Sequence, residues 1–218
     1  MIRLATPDDA AGIAAVRRAS WPAAYAGILP PEVIDRVVAR ATPARERAGF
    51  TEQPWRRLLV AETAPAPQPA VAPVTVVTGY ASYGMEKGAN GLPRSPLAGG
   101  PPGGRLLAAE LYTLYVAPDQ WSTGAGRALM DRVLTEARAE GYPRIILWVL
   151  RDNRRARRFY ERAGFRRKGA EHPSFFAGVP EVRYVRALLP AACYQPRARH
   201  SPRCGRSAPS VVSAPCPG

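Results

Sequence analysis

The chain has 218 residues, 46% apolar and 22% charged, enough for one ordinary domain with its own core. No apolar run approaches the roughly 20 residues needed to span a bilayer, and Met1-Ile2-Arg3-Leu4 meets Pro7-Asp8-Asp9 without a signal-peptide stretch, so a cytoplasmic protein with no membrane partner is expected. The formal charge of +14, with 24 Pro and 19 Gly, would suit a nucleic-acid binder or a partly disordered chain. Where those residues sit decides between them.

Residues 1–6 read as an opening strand. Thr6 follows as N-cap and Pro7 as first residue of a helix with Ala10, Ile13, Ala14 and Val16 on its apolar stripe. Pro30-Pro31-Glu32 opens a second helix carrying Val33, Ile34, Val37 and Val38. Arg57–Glu62 and Val74–Tyr83 are strand-like, joined by the Ala/Pro-rich hairpin loop Thr63–Pro73. A second loop, Lys87–Gly104, is dense in Gly and Pro.

From Ala109 the pattern becomes regular. Leu111–Val116 is a strand, Gly124–Glu140 a helix, and Arg144–Leu150 an apolar strand. Asn153–Ala163 is a helix closed by Gly164, and Phe165–Lys168 and Val182–Leu188 are closing strands. Periodicity stops after Pro190. Residues 191–218 hold all three cysteines, four Arg and no acidic residue, and read as a disordered tail behind one domain at 1–190. That domain has no disulfide framework and no thiol nucleophile. His200, Cys193, Cys204 and Cys216 lack zinc-ligand spacing, and no metal is expected.

Chemistry concentrates in two stretches. In the first, a strand ends at Pro118 and Trp121-Ser122-Thr123-Gly124-Ala125-Gly126-Arg127 turns straight into a helix. Unpaired N–H groups at a helix N-terminus favour phosphate, and the two glycines let backbone approach a bulky anion. For a lone Gly-x-Gly a plain strand–turn–helix link is the favoured reading. A nucleotide P-loop is excluded because Arg127-Ala128 replaces Lys-Ser/Thr, and a dinucleotide fingerprint because Leu129 replaces its third small residue. In the second stretch, Asn153, Ala156 and Tyr160 share a helical face, with about 10.5 Å between the outer two. The stripe suits an extended polar ligand. Read alone, an N-terminal Asn and a core Tyr fit as well.

Together the two stretches resemble the GNAT N-acetyltransferases, in their ribosomal-protein-alanine-acetyltransferase-like branch. The likeness is close over residues 110–165 and looser through Ile2-Arg3, Asp8-Asp9 and Ser20-Trp21 to Tyr25–Pro30. It implies an α/β (α+β) fold with a mixed, mostly antiparallel sheet flanked by helices. A splayed strand pair would form the acetyl-CoA slot. By this resemblance the pyrophosphate lies on Trp121, Ser122, Thr123, Gly124, Ala125, Gly126 and Arg127, and the pantetheine arm pairs with Leu114, Tyr115 and Val116. Asn153 and Ala156 border that arm, and Tyr160 protonates the departing thiolate. The family usually carries Gln or Arg three residues before the first loop glycine, where this chain has Trp121.

The resemblance implies attack of a neutral amine on the thioester. A phenol, with pKa near 10, stays protonated at neutral pH and can serve the leaving group. Glu110 is the candidate base, on one strand face with Tyr112, Leu114 and Val116; a surface charge or an ammonium contact are the competing readings. Trp21, Tyr25 and Tyr112 are candidate acceptor contacts, with a core role open for each. His172 reads as an exposed loop residue. The acceptor is expected to be a protein N-terminus, a lysine or a small amine, and a homodimer through residues 165–188 stays open. Two other functions compete: a non-catalytic acyl-CoA sensor, and nucleic-acid binding on Arg154, Arg155, Arg157, Arg158 and Arg162. These arginines spread round their helix, which disfavours nucleic acid.

Overall fold

The computed structural model describes residues 1–53, 55–63, 76–87, 108–173, 176 and 178–188. The two Pro-rich loops beyond Thr63 and Lys87, and the tail at 191–218, lie outside them.

Strand β1 (Ile2–Leu4) leads through a 3-10 turn at Pro7–Asp9 into α1 (Ala10–Tyr25). The expected Thr6–Pro7 start is present, but the Asp9 carboxylate also holds it, accepting from Thr6 N at 2.7 Å. Helix α2 (Pro31–Arg40) begins where Pro30-Pro31 predicts. Helix α3 (Pro43–Glu52) is an element the sequence reading passed over. It starts as Thr6-Pro7 does: Pro43 takes the first turn, and Thr42 Oγ1 accepts from Arg45 N at 3.3 Å. Its weak apolar stripe hid it.

The strands β2 (Arg57–Thr63), β3 (Val76–Met85) and β4 (Ala109–Val116) form an antiparallel meander. Helix α4 (Ala125–Ala139), β5 (Arg144–Leu150) and α5 (Arg154–Arg162) follow. The short β6 (Arg166–Arg167), β7 (His172–Pro173) and β8 (Pro180–Ala187) close the sheet. Its order is β1-β2-β3-β4-β5-β8-β6, with β7 also on β8. Every pairing is antiparallel except β4–β5. The sheet is therefore mixed and mostly antiparallel, as the resemblance implied.

Helices cover both faces, so β2 reads as an unbroken apolar run rather than an alternating one. Leu59 and Ala61 face the larger core, with Leu129, Met130 and Val133 of α4 and Ile145, Leu147 and Val149 of β5. Leu58 and Val60 face Ile13 and Val16 of α1. A third cluster joins Trp21, Leu29 and Ile34 to Leu150 at the end of β5. Packing between layers is tight: a Cβ on Gly12 of α1 would lie 2.7 Å from Val77 Cβ.

Candidate functional site

The parallel pair β4–β5 is short. Ala109, Glu110 and Leu111 pair with Ile145, Ile146 and Leu147, and beyond that point the strands part. The cleft between them widens into a cavity of about 890 Å³, walled by β4, the loop before α4, β5 and α5.

A bulge changes what β4 presents. Its register with β3 slips between Ser82 and Tyr83, whose partners are Thr113 and Leu111, leaving Tyr112 as the extra residue. Leu111, Leu114 and Val116 consequently pack in the α4-side core. On the other face Thr113 meets Ser82 through a 2.6 Å hydroxyl–hydroxyl bond, and Tyr115 packs near α1. Strict alternation over Glu110, Tyr112, Leu114 and Val116, expected from the sequence, is therefore corrected. Leu114 and Val116 face away from the acceptor side, and an inserted residue is the reason.

At the end of β4 the chain makes a 3-10 turn, Pro118–Gln120. Ser122 and Gly124 both adopt positive φ, +67° and +100°, which aims the chain into α4. The first helical bond runs from Ala128 N to Gly124 O at 2.9 Å, so the N–H groups of Ala125, Gly126 and Arg127 precede it. Thr123 donates its hydroxyl to Gln120 O at 2.8 Å and thereby braces the turn. Trp121 folds back and donates its indole N–H to Val116 O at 2.8 Å. Arg155 of α5 lies on its ring, 4.0 Å from the centroid. Arg127, Arg155, Arg158 and Arg162 also line this mouth. Loop, helix end and guanidiniums together form a cradle suited to polyanionic phosphate.

Asn153 is 7% exposed and caps α5, its Oδ1 accepting from Ala156 N at 3.0 Å. Its amide N–H groups have no partner among the described residues and lie at the cavity wall with Ala156 and Tyr160. Further along, α5 is pinned to the sheet: Arg157 donates to Tyr184 Oη at 3.1 Å, and that hydroxyl donates to Glu161 at 2.6 Å. Arg157 is thus structural, unlike the arginines of the mouth. Tyr160 packs edge-on between Phe159 and Phe165. Burial pushes its phenol well above the ordinary value, with Tyr115 adding to the effect. It is neutral near pH 7.

The acceptor candidates separate. Tyr25 and Tyr112 are on the cavity wall, and Tyr25 Oη lies 3.1 Å from Tyr115 Oη. Trp21 is instead 5% exposed and packs against Tyr25 with tilted rings, 4.7 Å between centroids, so it backs the wall rather than forming it. Tyr112 donates to Met85 O, with Lys87 Nζ 3.9 Å from its ring centroid. Glu110 Oε2 accepts from Lys87 N at 2.9 Å, and burial raises its carboxyl against that bond and the nearby Lys87 charge. It is not among the residues lining the cavity. His172 is exposed, on β7 rather than in a loop, with its ring 5.9 Å from that of Trp148. Trp148 and the end of β5, which the sequence reading offered as lining for the acceptor pocket and the slot, do line the cavity; it missed Glu181, which also lines it and carried no motif to signal it.

The fold thus presents a mixed sheet parted between two parallel strands, with a turn and helix end suited to phosphate at one end of the gap. A family model described as the acetyltransferase (GNAT) family matches residues 37–165, more than half of the chain, and the chain belongs to that family. It is 40% identical over 80 residues to an uncharacterized N-acetyltransferase of Mycobacterium tuberculosis (34% of this chain, 51% of that one). It is 48% identical over 56 residues to a mycothiol acetyltransferase of Beutenbergia cavernae (26% of this chain, 19% of that one). The aligned stretch thus spans from about a fifth to about half of these relatives' lengths. The fold matches that of yncA, a putative acetyltransferase from Salmonella typhimurium solved with acetyl-CoA, at TM-score 0.59 and 23% identity, over 91% of this chain and 98% of that one. Among the described residues, no helix is long and apolar enough to cross a membrane, and no group of three or more His, Cys, Asp or Glu could hold a metal ion.

Proposed function

We propose that this chain transfers the acetyl group of acetyl-CoA to a primary amine by direct attack in a ternary complex. One observation carries the reading: the phosphate cradle at α4 and the Asn153–Tyr160 stripe of α5 open onto the same parted β4–β5 cleft. Trp121–Arg127 and the mouth arginines hold the pyrophosphate and ribose phosphate. The free edge of Leu114–Val116 pairs with the pantetheine arm, and Asn153 donates to it across Ala156. A backbone N–H near Leu114 supports the oxyanion as the thioester carbonyl is attacked. Tyr160, neutral and facing the cleft, gives its proton to the leaving sulfur.

The acceptor is a protein N-terminus, a lysine or a small amine. It enters between α1 and the parted strands, past Tyr25 and Tyr112. Its proton passes to a carboxylate on this side of the sheet, with Glu110 and Glu181, both half-buried, as candidates. An acceptor of the kind named for the mycothiol acetyltransferase of Beutenbergia cavernae is one candidate within this range.

The test pairs binding with turnover. Acetyl-CoA should raise the melting temperature of both wild type and Tyr160→Phe, while the variant releases CoA thiol about 10²-fold more slowly from an amine panel. Binding without turnover in wild type would support the sensor. No stabilisation by any acyl-CoA would end the acyl-CoA reading.

A further inference from the structure

We propose that Glu181 is the seat for the acceptor ammonium and the group that takes its proton. The proposal rests on the acetyl-transfer reading and assigns the half of the site which that reading leaves open.

Glu181 stands at the start of β8 and pairs with Leu150 at the end of β5, beside the parted strands. Its neighbours in sequence set its direction. Val182 and Tyr184 are buried in the α4-side core, so Glu181 and Arg183 point to the opposite face, the one on which Trp148 and Leu150 also lie. Glu181 lines the cavity there, with the aromatic rings of Tyr25, Trp148 and Phe176 on the same wall.

What singles it out is the state of its competitors. Among the described residues, Glu86, Glu110 and Glu181 are the carboxylates on this side of the sheet near the cleft. Glu86 Oε1 is held by Arg183 at 2.9 Å, and Glu110 takes the Lys87 N–H. Glu181 has no hydrogen bond or ion pair among the described residues, although it is partly buried. A half-buried carboxylate without a partner is costly unless a cation arrives to complete it. Aromatic rings beside it favour the same ligand class, an ammonium on an apolar stem.

The charged surroundings are few. His172 on β7, the strand paired with Glu181, draws its carboxyl down, while Glu110 on β4 pushes it up. Arg183, on the same face of β8, is engaged with Glu86. Tyr25 of α1 is neutral, its phenol raised by burial. Burial dominates and raises the Glu181 carboxyl above its ordinary value.

The step balances as follows. The ammonium gives one proton to the Glu181 carboxylate, and the freed amine nitrogen forms a bond to the thioester carbon. The adduct sheds its second ammonium proton to water. The C–S bond then breaks, and the sulfur takes the proton of Tyr160. Glu181 and Tyr160 return to their starting states through water, with one proton released overall.

The test uses the whole chain saturated with CoA and n-butylammonium as probe, followed by carbon-13 NMR of labelled glutamate carboxyls. The Glu181 resonance, assigned by its loss in Glu181→Gln, should titrate above the free-carboxylate range and move when n-butylammonium is added. A resonance that does not respond overturns the proposal while leaving acyl-CoA binding intact. Failure of CoA to bind would overturn the underlying reading instead. With acetyl-CoA and n-butylamine, kcat/KM should fall as pH drops through the Glu181 titration, because only the ionised carboxylate accepts a proton. Glu181→Gln should lose that limb and at least tenfold in kcat/KM at neutral pH, with acetyl-CoA affinity unchanged. A limb that survives in Glu181→Gln and disappears in Glu110→Gln would assign the proton to Glu110 and overturn the proposal.

Discussion

Asn153 carries two tasks on one amide. Its oxygen caps α5 through Ala156 N, and its nitrogen is left for the cleft. The two tasks separate by substitution. Asn153→Ala should lower unfolding free energy by about 1 kcal/mol, the usual worth of an N-cap, and weaken acetyl-CoA binding as well. Asn153→Asp retains the cap oxygen but removes the donors, so the melting temperature should hold while acetyl-CoA affinity, read by calorimetry, falls about tenfold. Equal binding losses without any stability difference between the two would separate Asn153 from the cap. Trp121 shows the same economy. Where relatives by resemblance carry Gln or Arg, its indole ties the loop to Val116 O and offers a face to Arg155, so a cation still reaches the mouth.

At the scale of elements, the site depends on how closely β3 approaches β4. A Cβ on Gly79 would lie 2.9 Å from Tyr115 O, 3.1 Å from Val116 Cγ2 and 3.2 Å from Leu129 Cδ1, so both backbone and core would have to yield. Gly79→Ala should destabilise the fold by about 2 kcal/mol in urea titration. If the free edge of β4 holds the pantetheine arm as proposed above, a shift of the whole strand should raise the KM for acetyl-CoA too. A variant as stable as wild type would show that β4 can shift freely. The bulge at Tyr112 is the other elemental device. It turns Leu114 toward the α4 core and Tyr115 toward α1, placing apolar packing on one side of the cleft and hydroxyl groups on the other.

Across the whole molecule, the N-terminal segment is fastened to the sheet by charge. Arg3 makes two 2.8 Å bonds to Asp9, which is 7% exposed, and also reaches Glu62. The Arg3 guanidinium, foremost, holds the Asp9 carboxyl below its usual range. Depression in the folded state means the contribution is complete above the unfolded value near 3.9 and is lost as pH falls through the folded one. Asp9→Asn should therefore cost about 2 kcal/mol near neutrality, the worth of hydrogen bonds to a charged group. The gap between variant and wild type in urea midpoint should close as pH drops below about 4. A gap independent of pH would assign the loss to packing.

The linear chain carried the parts whose physics is local. Helix starts follow from Pro and Thr placement, the anion cradle from glycines ahead of a helix, and the Asn153–Tyr160 stripe from a spacing of two turns. Tertiary structure decided whatever depends on strand register and on the choice of face. A one-residue bulge at Tyr112 overturned an alternation that looked secure, because inserting one residue reverses every side chain beyond it. The same dependence kept Trp21 behind the wall and Glu110 off it, and brought Glu181, some 70 residues further along the chain than Glu110, to the cleft beside β5. The excess positive charge was plain from composition, but its meaning was not. Only folding sorted Arg157 onto Tyr184 and Arg155 and Arg158 to the cavity mouth, since the partner of a charge is set by distance in space and not by order in sequence.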